Sequence, residues 1–244
     1  MTRRGRRRMP QQQQRRGPVA TVVGVFGELL LTAGVLVVLF IVYQLFGTGV
    51  QTAQAQDELL EQFQVQPDPP EGSEGEDDTV QPEPVPPEEA DIGDAYAVLR
   101  IPRFGGSWEY VVVQGTEEND LKRGPGHYLD TANPGEMGNF SVAGHRAGHG
   151  QPFAAFPELQ AGDVVEVQTS EAIYTYELDD APDGDPDGNR IGASDTQVVW
   201  PDPEADDPNA EPTEERVTLT TCWPRWGSSH RMYATGTLVS AEEV

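Results

Sequence analysis

The hydrophobic and polar positions divide this chain into stretches with three different patterns. Val19 to Phe46 is almost continuously apolar and exceeds the roughly 20 residues that a helix needs to cross a bilayer. Pro67 to Asp94 is dense in Pro, Glu, Asp and Gly, and it lacks the apolar surface that folding requires. From Ala95 onward, short apolar runs alternate with Gly, Pro and Asn. The pattern predicts a membrane helix, a disordered linker and a folded domain.

The apolar runs of the folded domain have the length and the flanking turn residues that are typical of β-strands. Eight such runs in succession predict an all-β fold, either a closed barrel or a sandwich. Two short helices are also expected, one with Thr116 as its N-cap and one within Pro152 to Leu159. The predicted strands are Ala95–Ile101, Tyr110–Val113, Asn139–Ala143, Val164–Gln168, Ile173–Leu178, Gln197–Trp200, Val217–Thr221 and Met232–Val239.

These patterns give the chain four predicted segments. Gln51 to Gln66 is polar with scattered Leu and Phe, and it is expected to form a short helix that leaves the membrane. The four segments are a basic arm (residues 1–17), a transmembrane helix (18–46), a Pro/Glu-rich linker (47–93) and a folded domain (94–244).

The distribution of charge sets the expected topology. Seven of the 16 basic residues lie within residues 3–16, whereas nearly all of the 41 acidic residues follow the apolar run. Because cytoplasmic flanks of membrane helices are rich in Lys and Arg, we expect the N-terminus inside the cell and the domain outside. Ala53-Gln54-Ala55 has the pattern of a signal-peptidase site, but signal peptides have apolar cores of only about 7–15 residues, which favours an uncleaved anchor. The acidic domain does not suit nucleic acid, whose phosphates need a basic surface.

The candidate chemistry begins with Cys222, the single cysteine of the chain. It directly follows the predicted strand Val217–Thr221, and Arg231 opens the next predicted strand after a loop that contains Pro224 and Gly227. A hairpin-like return of this length would bring the thiol and the guanidinium together. A buried, unreactive cysteine is the alternative. A nearby His or Arg would instead favour the thiolate, which is the nucleophilic form.

Several sequence blocks resemble those of the sortase family. Thr218-Leu-Thr-Thr-Cys222, with Arg231 nine residues later, is similar to the sortase active-site signature, and Ala143-Gly-His-Arg146 is similar to the segment that carries the sortase histidine. The resemblance covers about Ala95 to Leu238 and is greatest to class E, the housekeeping sortases of many high-GC Gram-positive bacteria. The remaining blocks, in family order, are Leu99-Arg-Ile-Pro102, Gly124-Pro-Gly-His-Tyr128, Gly135-Glu-Met-Gly-Asn139 and Leu159-Gln-Ala-Gly-Asp163.

This resemblance implies an eight-stranded barrel that acts as a membrane-anchored cysteine transpeptidase. It implies that Cys222 attacks the Thr–Gly bond of a Leu-Ala-X-Thr-Gly or Leu-Pro-X-Thr-Gly sorting signal on a secreted protein. His145 would transfer protons and Arg231 would donate hydrogen bonds to the substrate or the oxyanion. The thioacyl enzyme would then pass the protein to an amine of a peptidoglycan precursor.

Three further residues are candidates for substrate binding. The resemblance links Tyr128 to the preference of class E sortases for Ala in the signal, whereas a tyrosine of the core or the barrel rim is the alternative. Thr220 and Thr221 are expected to line the groove, although strand packing explains one of them equally well.

The other titratable clusters give no metal site. His145 and His149 form an H-x-x-x-H pair, but such a clamp needs a helix, and the surrounding glycines oppose one. His149 is therefore expected in an exposed loop, and His230 is expected to face solvent. Asp183 to Gly188 has the pattern that begins a calcium loop, yet its twelfth position is Ser194 and not the required Glu. The sequence favours a solvated acidic loop over a calcium site, so no cofactor is expected.

Two other functions compete with the sortase interpretation. An L,D-transpeptidase is also a secreted Cys/His enzyme of the wall, but its His-Gly-Cys-x-Arg cluster is not present around Cys222. A non-catalytic, membrane-tethered binding module would make Cys222 dispensable.

Overall fold

The computed structural model describes residues 18–43, 47–64 and 90–244 of the 244-residue chain. The predicted basic arm and most of the predicted linker lie outside the described residues. The chain divides into two compact units, Met1–Gln44 and Leu45–Val244. In the first unit, helix α1 (Pro18–Val42) contains a stretch, Val22–Val42, that is long and apolar enough to cross a membrane.

The second unit is built on one β-sheet that closes on itself. Its strands are β1 (Ala95–Arg100), β2 (Glu109–Gln114), β3 (Gly126–His127), β4 (Gly138–Gly144), β5 (Val164–Gln168), β6 (Ala172–Asp180), β7 (Arg190–Gly192), β8 (Glu215–Trp223) and β9 (His230–Glu243). They are ordered β6-β5-β1-β2-β3-β4-β8-β9, and β9 pairs again with β6. This last pairing closes an eight-stranded barrel, while β7 is a short addition along the start of β9. The β2–β3 and β4–β8 pairs are parallel, and the other pairs are antiparallel.

The barrel interior is filled by alternate side chains of the strands, as the two-residue period of a strand requires. The β4, β8 and β9 strands contribute Val142, Leu219 and Ala234, each fully buried. A connection after β4 adds Phe153 and Phe156 to the same core. Because the interior is packed with side chains, a substrate has to bind on the outer surface or at the rim.

The predicted all-β barrel is confirmed, although one predicted strand is wrong. The run Gln197–Trp200 contains a 3₁₀ helix, Gln197–Val199, because the buried Asn139 side chain forms hydrogen bonds with its carbonyl groups. Asn139 Nδ2 donates hydrogen bonds to the carbonyls of Val198 and Trp200, both at 2.9 Å. The eighth strand of the barrel is instead β3, whose two residues are too short to show an apolar pattern.

Both predicted helical segments of the domain contain short helices. Helix α3 (Glu118–Leu121) is capped by Glu117 rather than by Thr116. Its capping box is reciprocal, because Glu117 accepts from the third residue of the helix and the Asp120 carboxylate accepts from the Glu117 N–H at 3.0 Å. A 3₁₀ turn, Phe156–Glu158, lies within the second predicted segment.

Helix α2 (Thr48–Gln64) packs against the barrel. Leu59 and Phe63 are buried, and they form a second apolar cluster with residues of β1 and β2. The scattered Leu and Phe of this stretch predicted a helix, but its contact with the barrel was not expected. The compact unit therefore includes α2, which the sequence placed in the linker 47–93, and does not begin at residue 94. The apolar members of β1 and β2 in this cluster are Ala95, Val98, Val111 and Val113.

Candidate active site

The β8–β9 ladder brings Cys222 and Arg231 together. The two residues are direct partners in the antiparallel register, and so are their neighbours Thr221 and Met232. Direct partners on antiparallel strands project to the same face, and adjacent residues project to opposite faces. Met232 is fully buried in the core, whereas Cys222 is half-buried. The thiol and the guanidinium therefore share the outer face of the barrel wall.

The parallel β4–β8 pair adds His145 to this face. Gly144, the last residue of β4, pairs with Thr221, so His145 follows at the level of Cys222. Gly144 must be glycine here, because a Cβ atom would lie 2.5 Å from the Phe153 ring. The Phe153 N–H also donates to the His145 carbonyl at 3.0 Å, which ties Phe153 to the residue that follows β4.

A single open cavity of about 320 Å³ brings the predicted site residues together. The β-strand side of this cavity is lined by all six of them: Cys222, His145, Arg231, Tyr128, Thr220 and Thr221. The connection between β7 and β8 also lines the cavity, through residues such as Ala193, Asp195 and Val198. The arrangement is a groove whose floor is a strand ladder and whose wall is a loop.

His145 has an unusual environment for a histidine at a surface groove. Its Nε2 atom is buried and has no hydrogen-bond partner among the residues that the structure describes. Burial lowers the pKa of His145 below the usual 6.5, the nearby His149 and Lys122 lower it further, and Glu118 partly opposes them. The lowered pKa favours the neutral imidazole, and its Nε2 has no partner among the described residues.

The sequence predicted that His149 lies in an exposed loop, and this prediction is wrong. It is half-buried, and its ring centroid lies 4.9 Å from that of His145. Its backbone φ of 47° is in the left-handed region, between Gly148 and Gly150, which both have a φ of 69°. This turn folds His149 back against His145. By contrast, His230 is exposed, as expected.

Arg231 is oriented by the loop that precedes it. Its Nη1 donates to the carbonyl oxygens of Ser228 at 3.3 Å and of His230 at 3.2 Å. A guanidinium carries five N–H donors in a planar fork, so it can hold these carbonyls and still donate to an oxygen of a substrate.

The two threonines before the cysteine have different partners. Thr221 Oγ1 donates to the Gly144 carbonyl at 2.7 Å and so fastens β8 to β4. Thr220 Oγ1 shares a hydrogen bond of 3.0 Å with the Tyr128 hydroxyl. Tyr128 is thus held at the groove by Thr220, and its role in substrate binding stays a prediction.

His127, one residue before Tyr128, is fully enclosed. Its Nδ1 lies 2.7 Å from Gln114 Oε1, and its Nε2 lies 3.1 Å from the Thr131 hydroxyl and 3.2 Å from the Ala132 carbonyl. Its ring stacks on Tyr96 at a centroid distance of 4.4 Å. Burial lowers the pKa of His127 to about 4. Both nitrogens are used inside the fold, which leaves none for chemistry.

Two carboxylates of the acidic connection after β6 accept backbone hydrogen bonds. Asp183 accepts a hydrogen bond from the Ala161 N–H, and Asp185 accepts one from the Asp187 N–H. Within residues 18–43, 47–64 and 90–244, no group of three or more His, Cys, Asp or Glu residues is placed to hold a metal ion. The expectation of no cofactor, and the lesser alternative of calcium, remain predictions.

Comparison with known proteins gives consistent relatives. The Sortase domain family matches residues 99–239. Sortase SrtE1 of Streptomyces coelicolor is 32% identical over 241 residues, which covers 93% of this chain and 61% of that protein. Sortase SrtE2 of the same organism is 30% identical over 234 residues, which covers 92% and 85%. The structure of sortase E from Streptomyces avermitilis has 37% identity and a TM-score of 0.55, over 63% of this chain and 93% of that one.

The chain belongs to the sortase family of cysteine transpeptidases, as the barrel and the site had indicated. The similarity to Streptomyces E-type sortases confirms class E. The chain spans less than two thirds of the length of SrtE1.

Proposed function

We propose that this chain is a membrane-anchored class E sortase. In this proposal it cleaves a Leu-Ala-X-Thr-Gly or Leu-Pro-X-Thr-Gly sorting signal between Thr and Gly and transfers the protein to a cell-wall amine. The observation that carries the proposal is the shared groove: two strand pairings bring Cys222, His145 and Arg231 to one face. A nucleophile, a proton carrier and an oxyanion donor are the three groups that acyl transfer needs.

The reaction divides into two acyl transfers. His145 takes the thiol proton of Cys222 as the sulfur attacks the carbonyl carbon of the threonine, and it gives this proton to the departing amine as the C–N bond to glycine breaks. The incoming amine then attacks the thioester and loses a proton to His145, which returns that proton to the Cys222 sulfur as the C–S bond breaks. Arg231 donates hydrogen bonds to the carbonyl oxygen as it gains charge in each step.

The proposed partners come from the similarity to the sortase family, and the charge of the chain supports the proposed topology. The donor is a secreted protein with a C-terminal sorting signal, and the acceptor is the amine of a peptidoglycan precursor. The arginines before α1 and the acidic domain after it support a single-pass chain with a cytoplasmic N-terminus and an extracellular barrel. A formal net charge of −25 opposes binding of nucleic acid.

The test uses the full chain in detergent or nanodiscs, with both signal peptides and an amine acceptor. Mass spectrometry should detect Thr–Gly cleavage, an acyl adduct on Cys222 and the transfer product. Cys222→Ala should abolish the adduct and lower product formation by about 10³-fold or more, because the acyl intermediate has no other thiol to form on. The absence of an adduct from folded wild-type protein with a titratable thiol would favour the non-catalytic binding module.

A further inference from the structure

Helix α2 contacts the segment that follows His145. The Thr48 hydroxyl accepts a hydrogen bond from the His149 backbone N–H at 3.3 Å. Thr52, one turn later, packs on Gly150 so closely that a Cβ atom there would lie 3.0 Å from its methyl group. Both threonines are buried, at 8% and 1% exposure. The left-handed turn through His149 is therefore held from outside by α2.

The same helix also contacts the end of α3. Thr52 Oγ1 donates a hydrogen bond to the Lys122 carbonyl at 2.8 Å. One turn further along α2, the Gln56 amide donates to the Arg123 carbonyl at 2.9 Å. The residues that follow α3 are thus fixed by two successive turns of α2.

Gln56 also joins α2 to the barrel itself. Its Nε2 donates to the Val111 carbonyl at 3.0 Å, and its Oε1 accepts from the Val111 N–H at 2.7 Å. The short strand β3 pairs only with Val113 and Gln114 of β2, so it does not reach Val111. The Gln56 amide occupies the place of a neighbouring strand, which fixes α2 in rotation and along its axis.

The two segments held by α2 carry the charges that surround His145. His149 lies on the first segment, and Glu118 and Lys122 lie on α3 and at its end. Lys122 Nζ and Glu118 Oε1 form an ion pair of 2.6 Å. A shift of either segment would change both the position of the His145 ring and the charges that it faces.

We propose that α2 is a positioning element for proton transfer by His145, with Thr48 and Thr52 as the positioning residues. In sequence, α2 connects the candidate membrane helix to the barrel, and the hydroxyl groups of Thr48 and Thr52 in its first turns bind the two segments that surround the imidazole. The inference rests on the proposed function, because that function assigns proton transfer to His145.

The test uses the full chain and removes the hydroxyl groups of the two threonines while it keeps the shape of their side chains. Thr48→Val and Thr52→Val each remove a hydroxyl, whereas Thr48→Ser and Thr52→Ser retain it. Gln54→Ala, on the exposed face of α2, is the matched control. The valine variants should lower kcat by about tenfold with KM within about twofold, because a misplaced proton carrier slows the chemical step. The serine variants should recover most of the activity, and the control should match the wild type.

The pH profile separates positioning from simple loss of stability. Burial and the nearby cationic groups keep the pKa of His145 low, so a loosened surrounding should raise it. In the plot of kcat against pH, the limb that reports the titration of His145 should therefore move to higher pH in the valine variants only. Valine variants that lose activity with an unmoved limb, or that match Gln54→Ala, would overturn the inference.

Hydrogen exchange gives a readout that needs no turnover. Peptides covering residues 145–151 should exchange faster in the valine variants, while peptides of β8 should be unchanged. An unchanged exchange rate for residues 145–151 would show that α2 does not hold this segment, even if the enzyme is active. Faster exchange together with a wild-type protein that forms no acyl adduct would instead show that the proposed function fails, with the structural hold intact.

Discussion

Two histidines of this barrel share the direction of their pKa shift but differ in their hydrogen bonding. His127 and His145 both have a pKa lowered chiefly by burial. His127 has partners for both ring nitrogens and an aromatic ring stacked against it. His145 has a buried Nε2 without a partner in the described part of the chain, and it borders the groove that holds Cys222.

We propose that this difference separates a structural histidine from a functional one. A buried polar atom without a partner costs free energy, so one that borders a groove calls for an explanation. Low pKa alone does not distinguish the two residues, since burial produces it in both. The unused nitrogen beside a thiol does distinguish them, and the predictions below test this contrast.

The largest effect is expected from the loss of the His145 ring. His145→Asn should lower product formation by about 10³-fold, because general acid–base catalysis contributes roughly 10²–10⁴-fold. Its melting temperature should stay close to that of the wild type, since the buried nitrogen has no bond to lose. Steady-state kinetics and thermal unfolding measure the two quantities, with the exposed His230→Asn as a control. If His145→Asn kept wild-type activity, the unpaired Nε2 of His145 would not mark a functional histidine.

A smaller effect is expected from His127, and it appears in stability rather than in activity. Its folded pKa of about 4 lies below the ordinary 6.5, so the unfolded chain binds the proton more readily. The free energy of unfolding should therefore be unaffected by His127 above 6.5 and should fall as the pH drops towards 4, by roughly 3 kcal/mol in all. Denaturant unfolding across this window measures the fall.

The His127→Gln variant isolates this contribution. It keeps polar atoms near Gln114 and the Ala132 carbonyl but cannot be protonated. The difference in free energy of unfolding between the wild type and this variant should be independent of pH above about pH 6.5. An identical pH dependence in both proteins would show that His127 is not responsible for the acid sensitivity.

The sequence predicted best what depends on local pattern. The long β8 and β9 strands have clear apolar periodicity, so the pairing of Cys222 with Arg231 followed from their spacing. The apolar run at Gln197–Trp200 was assigned wrongly, because only the distant Asn139 decides its conformation. The place of His149 depends in the same way on Thr48, which lies about 100 residues earlier in the chain. Contacts between remote segments leave no periodic signal, so their consequences could not be predicted.

The smallest expected effect concerns Tyr128, which lies between the enclosed His127 and the groove that His145 borders. It directly follows His127 on the chain, yet its hydroxyl lies in the groove of His145 and bonds to Thr220. Tyr128→Phe should reduce the preference for the Leu-Ala signal over the Leu-Pro signal by about fivefold, which corresponds to about 1 kcal/mol for one hydrogen bond. The ratio of the two kcat/KM values measures this preference. A double-mutant cycle with Thr220→Val should show coupling, because both changes remove the same bond. An unchanged ratio would mean that Tyr128 only supports the floor of the groove.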